Sequence, residues 1–216
     1  MENEYQPIEF KFNKDLDGLT IKMLEEHFKL YQGYVKKSNE IQEKIRVADK
    51  SEANGVFSYI GELKRQETFA VNGMKLHEVY FGHLGPATDS AGSPQASRGQ
   101  VGVPHGDLVK MIEKDFESLD KWKEDMIATG ISARGWAVLC FDFKDNKLHN
   151  YGSDAHNVGA VWGAIPLIVL DVYEHAYFMD YGVNRKNYID SFFKNLDWDY
   201  ANKIAHHYEL QKRHHK

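Results

Sequence analysis

The sequence points to an α+β fold: an N-terminal helical hairpin domain followed by a C-terminal α/β domain with a three-stranded antiparallel sheet. Three observations carry that expectation. Helical periods fill the chain as far as Leu84, a stretch rich in Gly, Pro, Ser and Ala interrupts it, and β-type runs around a polar turn follow. The expected division is 1–90 for the helical hairpin, 91–106 for a linker and 107–216 for the α/β part.

The first element runs from Thr20 to about Lys44, where Leu24, His27, Tyr31 and Tyr34 recur at spacings of three and four and Glu and Lys fill the other face. Gly55 to Leu84 reads as a second helical region, in two pieces, with Gly73, His77, Tyr80 and Phe81 along one stripe. From Gly85 to Gly106 there is no apolar period, which marks a linker or exposed loop. Asp107 to Thr129 reads as two short helices. The run from Trp136 to Tyr151 then gives strand, turn and strand about an Asp145-Asn146 corner. Ala164 to Leu170 is the third strand, and helix returns over Asp171 to Tyr181, Arg185 to Lys194 and Trp198 to about Lys212.

Composition limits the classes of function. With 216 residues, 42% of them hydrophobic, the chain can bury one sizeable core or two small ones in contact. A formal charge of −5 leaves no footprint for a polyanion, so nucleic acid is not an expected partner. The one cysteine, Cys140, sits in an apolar run and reads as a buried thiol. The start Met-Glu-Asn-Glu-Tyr-Gln lacks the basic and apolar blocks of a secretory signal, and the longest apolar run, around Val158 to Leu170, is too short to span a bilayer. A cytoplasmic protein with no membrane role is expected.

Nucleotide and hydrolase signatures are missing: there is no GxGxxG, no GxxxxGK[ST], no GxSxG and no HExxH. Histidine and carboxylate remain. His27, His77 and His175 lie among aromatic neighbours, and Asp171 precedes His175 by four residues, so a carboxylate and an imidazole can project to one side. Three imidazoles and one carboxylate form a nitrogen and oxygen set that suits iron or manganese with one open position. Taken singly, each histidine reads as a hydrogen-bonded core residue rather than as a ligand. Glu174 reads as a solvated charge, and the pairs His206-His207 and His214-His215 as surface.

The segment Asp171-Val-Tyr-Glu-His-Ala-Tyr-Phe resembles the signature of the iron/manganese superoxide dismutases, and Asn184 to Tyr188, Asn195 to Trp198, Glu113 to Phe116 and Gly135-Trp-Ala resemble further parts of that family. The resemblance implies that His27, His77, Asp171 and His175 hold one iron or manganese ion per subunit. At the first ligand the spacing to Tyr34 is one residue short, so an ungapped match selects Glu26. His27 is preferred because it shares the apolar face and Glu26 does not.

By the same resemblance, Tyr34 is the gateway tyrosine beside the open position and His156 the residue that hydrogen-bonds metal-bound solvent. Gly73 occupies the alternative place from which some relatives supply that group. Tyr31 stands where the family usually has histidine, and Phe178 where it has tyrosine, so the hydrogen bond between those two across the subunit interface is expected to be absent. The activity implied is dismutation of superoxide in a homodimer or tetramer bridged by Glu174 to His175 of the other subunit. The competing readings are a non-haem iron oxygenase or peroxide-reactive enzyme and a catalytically degenerate dimeric scaffold.

Overall fold

A computed structural model describes residues 4–85 and 101–214. The first long helix, α1 (Ile21–Val47), starts where Thr20 caps it, its hydroxyl accepting from the Met23 amide at 3.2 Å. Met23, Leu24, His27, Phe28, Tyr31 and Val35 are its buried face. The second, α2 (Tyr59–His83), starts at the Ser58 cap and buries Leu63, Ala70, Gly73, Met74, His77, Tyr80 and Phe81. It is one continuous helix rather than the expected two pieces. Gly73 does not break it because that glycine lies against neighbouring rings instead of solvent. α1 and α2 pack along their lengths as the hairpin.

Residues 91–100 of the expected linker lie outside the described residues. From 101 the chain is tied to the C-terminal part, with the Gly102 amide donating to Leu196 O at 2.9 Å. Two short helices follow, α3 (Asp107–Phe116) and α4 (Leu119–Ser132). The sheet comprises β1 (Trp136–Asp142), β2 (Lys147–Ser153) and β3 (Ala164–Asp171), antiparallel in the order β2-β1-β3. The central strand β1 is buried on both faces, which explains its unbroken apolar run. At the hairpin corner Asn146 takes a left-handed conformation, φ 57°.

Asp171 ends a strand instead of starting a helix, because its pairing with Trp136 continues the β1–β3 ladder. A single 3-10 turn, Glu174–Ala176, and a one-turn helix α5 (Phe178–Tyr181) replace the continuous helix expected over 171–181. The chain closes with α6 (Arg185–Lys194), α7 (Trp198–His207) and α8 (Leu210–Arg213). The expected helix from Trp198 to Lys212 is interrupted at Glu209, whose φ of 52° is left-handed. The expectation of a surface His214 also fails: it is 4% exposed, with Nε2 2.7 Å from Asp115 Oδ2. One hydrophobic cluster joins α1 and α2 to the sheet and to α6 and α7, so the helical hairpin and the sheet meet in a common core.

Candidate metal centre

Four side chains converge where the hairpin meets the sheet. His27 is in the second turn of α1, His77 is two turns before the end of α2, Asp171 is the last residue of β3, and His175 is in the 3-10 turn beyond it. One potential ligand atom from each lies within 4.8 Å of all the others. Nε2 of His27, His175 and His77 stands 3.1, 3.2 and 3.5 Å from the same atom, Asp171 Oδ2. His27, His77 and Asp171 are fully buried, whereas the His175 side chain is 27% exposed. Glu26, the rival first ligand, is exposed and paired with Lys29 at 2.7 Å.

Hydrogen bonding fixes the chemical form of these groups. His77 Nδ1 is 2.6 Å from Gly73 O, and a carbonyl only accepts, so Nδ1 carries the proton. Burial holds the His77 pKa well below the ordinary histidine value, so the ring is neutral. Its Nε2 is therefore a bare lone pair, buried, without a hydrogen-bond partner among the described residues and facing a carboxylate oxygen. That arrangement is repulsive unless a cation lies between the two.

Burial opposes the charge on Asp171, but His175 and His27 outweigh it and hold the carboxyl well below the usual range. Burial lowers the pKa of His27. For His175 burial pulls the same way, but Asp171 overcomes it and raises the value. The donor set is nitrogen and oxygen without thiolate, which fits iron or manganese.

Surrounding residues orient the ligands. Asp171 Oδ1 accepts from the Tyr173 amide at 2.9 Å, and Asp171 O accepts from the Tyr188 hydroxyl at 2.7 Å. Tyr173 stacks on His175, with centroids 5.1 Å apart and planes at 17°. His156 lies beside the ligands, its ring 5.8 Å from His77 and 4.7 Å from Tyr34. The Trp136 indole donates to His156 Nδ1 at 2.9 Å, which leaves the ring proton on Nε2, a buried atom that no described residue accepts. A Cβ on Gly73 would stand 3.0 Å from Tyr34 Cδ1 and 3.1 Å from His156 Cδ2, so residue 73 must be glycine for both rings to sit as they do.

All six residues singled out from the sequence thus meet in one place. Sequence reasoning missed the work of Trp136, Tyr173 and Tyr188. Trp136, Tyr173 and Tyr188 all stood in family-like segments without an assigned task, and nothing local to Tyr188 signals that its hydroxyl reaches back to Asp171. Phe178, opposite in expectation to Tyr31, is 52% exposed, and the Tyr31 hydroxyl turns to Glu78 at 3.1 Å.

Comparison with known proteins agrees with this geometry. Residues 104–204 match the family model for the C-terminal domain of iron/manganese superoxide dismutases. The chain is 43% identical to the protein named superoxide dismutase [Fe] of Aquifex aeolicus (strain VF5) over 205 residues, 93% of this chain and 91% of the relative. Its counterpart in Aquifex pyrophilus is 44% identical over 194 residues, 88% and 85% of the two chains. A protein named superoxide dismutase [Mn] 2 from Haloferax volcanii is 32% identical over 200 residues, 92% and 93% of the two chains.

Proposed function

The chain belongs to the iron/manganese superoxide dismutase family, and we propose that it converts superoxide to dioxygen and hydrogen peroxide with iron or manganese held by His27, His77, Asp171 and His175. The observation that carries this reading is the lone pair of His77 Nε2 facing Asp171 Oδ2 with no proton between them. The chemistry an iron or manganese ion supplies when bound is one-electron exchange with superoxide, giving dioxygen in one half-cycle and, with two protons, hydrogen peroxide in the other.

The chain's own residues then hold, orient and protonate. Asp171 supplies the negative charge that balances the cation, and Tyr173 and Tyr188 set its direction. Burial pushes the His156 pKa down to about 4, so its ring stays neutral and presents Nε2–H as a donor to an oxygen species at the site. Burial, followed by the charges of Tyr173 and Asp171, raises the Tyr34 hydroxyl to about 12, so it too remains a proton donor at neutral pH. Tyr34 and Phe69 also line a 400 Å³ groove between α1 and α2 with Lys37 and Lys44. Both rings touch His156, and Glu62 lines the groove with the two lysines, of which Lys37 is paired with Glu40 at 2.5 Å.

A homodimer completes the proposal. His175 is the one partly exposed ligand, and Phe178 and Met179 beside it are 52% and 51% exposed. A second copy seated there would cover them, and exposed Glu174 would reach the partner subunit's His175. Glu174→Ala is expected to shift the sedimentation profile toward monomer.

The test of the activity is the consumption of enzymatically generated superoxide by metal-loaded protein. Catalytic consumption supports the dismutase. Uptake of dioxygen with an organic substrate and no effect on superoxide would favour an oxygenase instead, and full metal occupancy with neither activity would favour a scaffold.

A further inference from the structure

Five of the described tyrosines, Tyr31, Tyr34, Tyr80, Tyr173 and Tyr188, pack around the ligands, and among the described residues Tyr31 alone of the five hands its proton to a carboxylate. Tyr188 donates to the backbone oxygen of Asp171, Tyr80 shares its hydroxyl with Tyr188 at 3.1 Å, and among the described residues no carboxylate accepts from Tyr34 or Tyr173. Tyr31 is fully buried, and its ring stacks on the ligand His77, with centroids 6.4 Å apart and planes at 28°. Among the described residues its hydroxyl has two hydrogen-bond partners: the Ile8 amide at 2.8 Å and Glu78 Oε1 at 3.1 Å. An amide N–H can only donate, so the phenolic hydrogen must point at Glu78. Glu78 in turn lines a 340 Å³ cleft with Lys11, Asp197, Asp199, Tyr200 and Lys203, which connects the carboxylate to solvent. Tyr31 does not line the groove that holds Tyr34.

We infer that Tyr31 is a built-in one-electron donor to the metal centre, with Glu78 receiving its proton, and that the pair discharges oxidising equivalents produced when hydrogen peroxide reacts at the reduced site. The inference rests on the dismutase reading, because that reaction supplies the peroxide. In the balanced step the O–O bond of hydrogen peroxide breaks and it leaves as two hydroxides. It takes one electron from the reduced ion and one from Tyr31, while the phenolic proton moves to Glu78. A neutral phenoxyl radical remains on a ring shielded from solvent and off the substrate groove. An external thiol or ascorbate-type reductant then restores it.

The protein to test is the iron-loaded enzyme, after its superoxide consumption has been measured, so that failure of the dismutase reading is seen first and separately. Reduced enzyme is mixed with equimolar hydrogen peroxide, freeze-quenched and examined by electron paramagnetic resonance. The expected result is a phenoxyl signal that narrows when the tyrosines are ring-deuterated, persists in Tyr34→Phe and is lost in Tyr31→Phe and in Glu78→Gln. In Tyr31→Phe, peptide mass spectrometry is expected to find faster oxidation of the ligand histidines or Trp136. An unchanged signal in Tyr31→Phe, or no phenoxyl signal in an enzyme active on superoxide, would overturn the inference. The deuterated parent protein keeps it testable if a variant does not fold.

Discussion

The two halves of the metal centre are held by different means. His27 and His77 stand on helices of 27 and 25 residues, and their positions follow from helical period and packing. Asp171 and His175 stand where a strand gives way to a single 3-10 turn, and their positions follow from hydrogen bonds: the Tyr173 amide and the Tyr188 hydroxyl on Asp171, and the Trp136–Asp171 ladder pairing. The helical side is therefore sensitive to volume, and the strand side to the loss of single polar groups.

The largest expected effect comes from the centre of the strand side. Asp171→Asn removes the charge that faces three imidazoles, and metal retention is expected to fall by more than the ~10–100-fold typical of losing an outer partner. Metal content after dialysis against chelator measures it. Retention equal to the parent would show that the carboxylate is not a ligand.

On the helical side, Gly73→Gln tests volume. Its side chain must displace the Tyr34 or His156 ring, the latter pinned by Trp136, and a loss of ~1–3 kcal/mol is expected from overpacking. Denaturant unfolding gives the value, and adding His156→Ala is expected to recover part of it. A neutral Gly73→Gln would mean that the site tolerates a group at 73 beside His156.

A pH effect separates the two halves further. Burial, followed by the nearby Lys11 ammonium, pushes the His83 pKa down from 6.5 to about 3. Its folded value is depressed, so the unfolded chain binds a proton first as pH falls. Stability is full above 6.5 and is lost toward 3, at ~1.4 kcal/mol per pH unit from this group. His83→Phe is expected to flatten the acid limb of an unfolding-against-pH curve, and an unchanged limb would remove His83 from the account.

Next, Tyr188→Phe deletes two hydrogen bonds, to Asp171 O and to the Tyr80 hydroxyl, at a cost of ~1 kcal/mol each. The expected sign that it is a positioning residue is weaker metal retention at equal folding, read by chelator competition. The least effect is chemical: burial raises the Cys140 thiol to about 12, so alkylation at mildly alkaline pH is expected only after unfolding.

The same contrast explains what could be read from the sequence. Helix α1 was legible nearly to its ends, because its apolar stripe is a local signal, and the choice of His27 over Glu26 followed from that stripe. The three strands were legible from apolar runs and the Asp145-Asn146 corner. The 171–181 segment was misread as helix because its conformation is set by pairing to Trp136, which is distant in sequence. The burial of His214 depends likewise on a long-range contact, with Asp115. The ligand set needed the family-like signature, since singly each histidine passes for core. The hydroxyl of Tyr188 and the turn of Tyr31 toward Glu78 needed the fold.

The most direct test of the four-ligand centre is the decay of a superoxide pulse, measured with metal content on the same samples of parent protein and His27→Ala, each loaded in parallel with iron and with manganese. Rapid catalytic decay by the parent with at least one metal is expected, and loss of both metal and decay in His27→Ala. Parent protein that holds its metal but leaves the decay at the uncatalysed rate, or His27→Ala that retains both, would contradict the account.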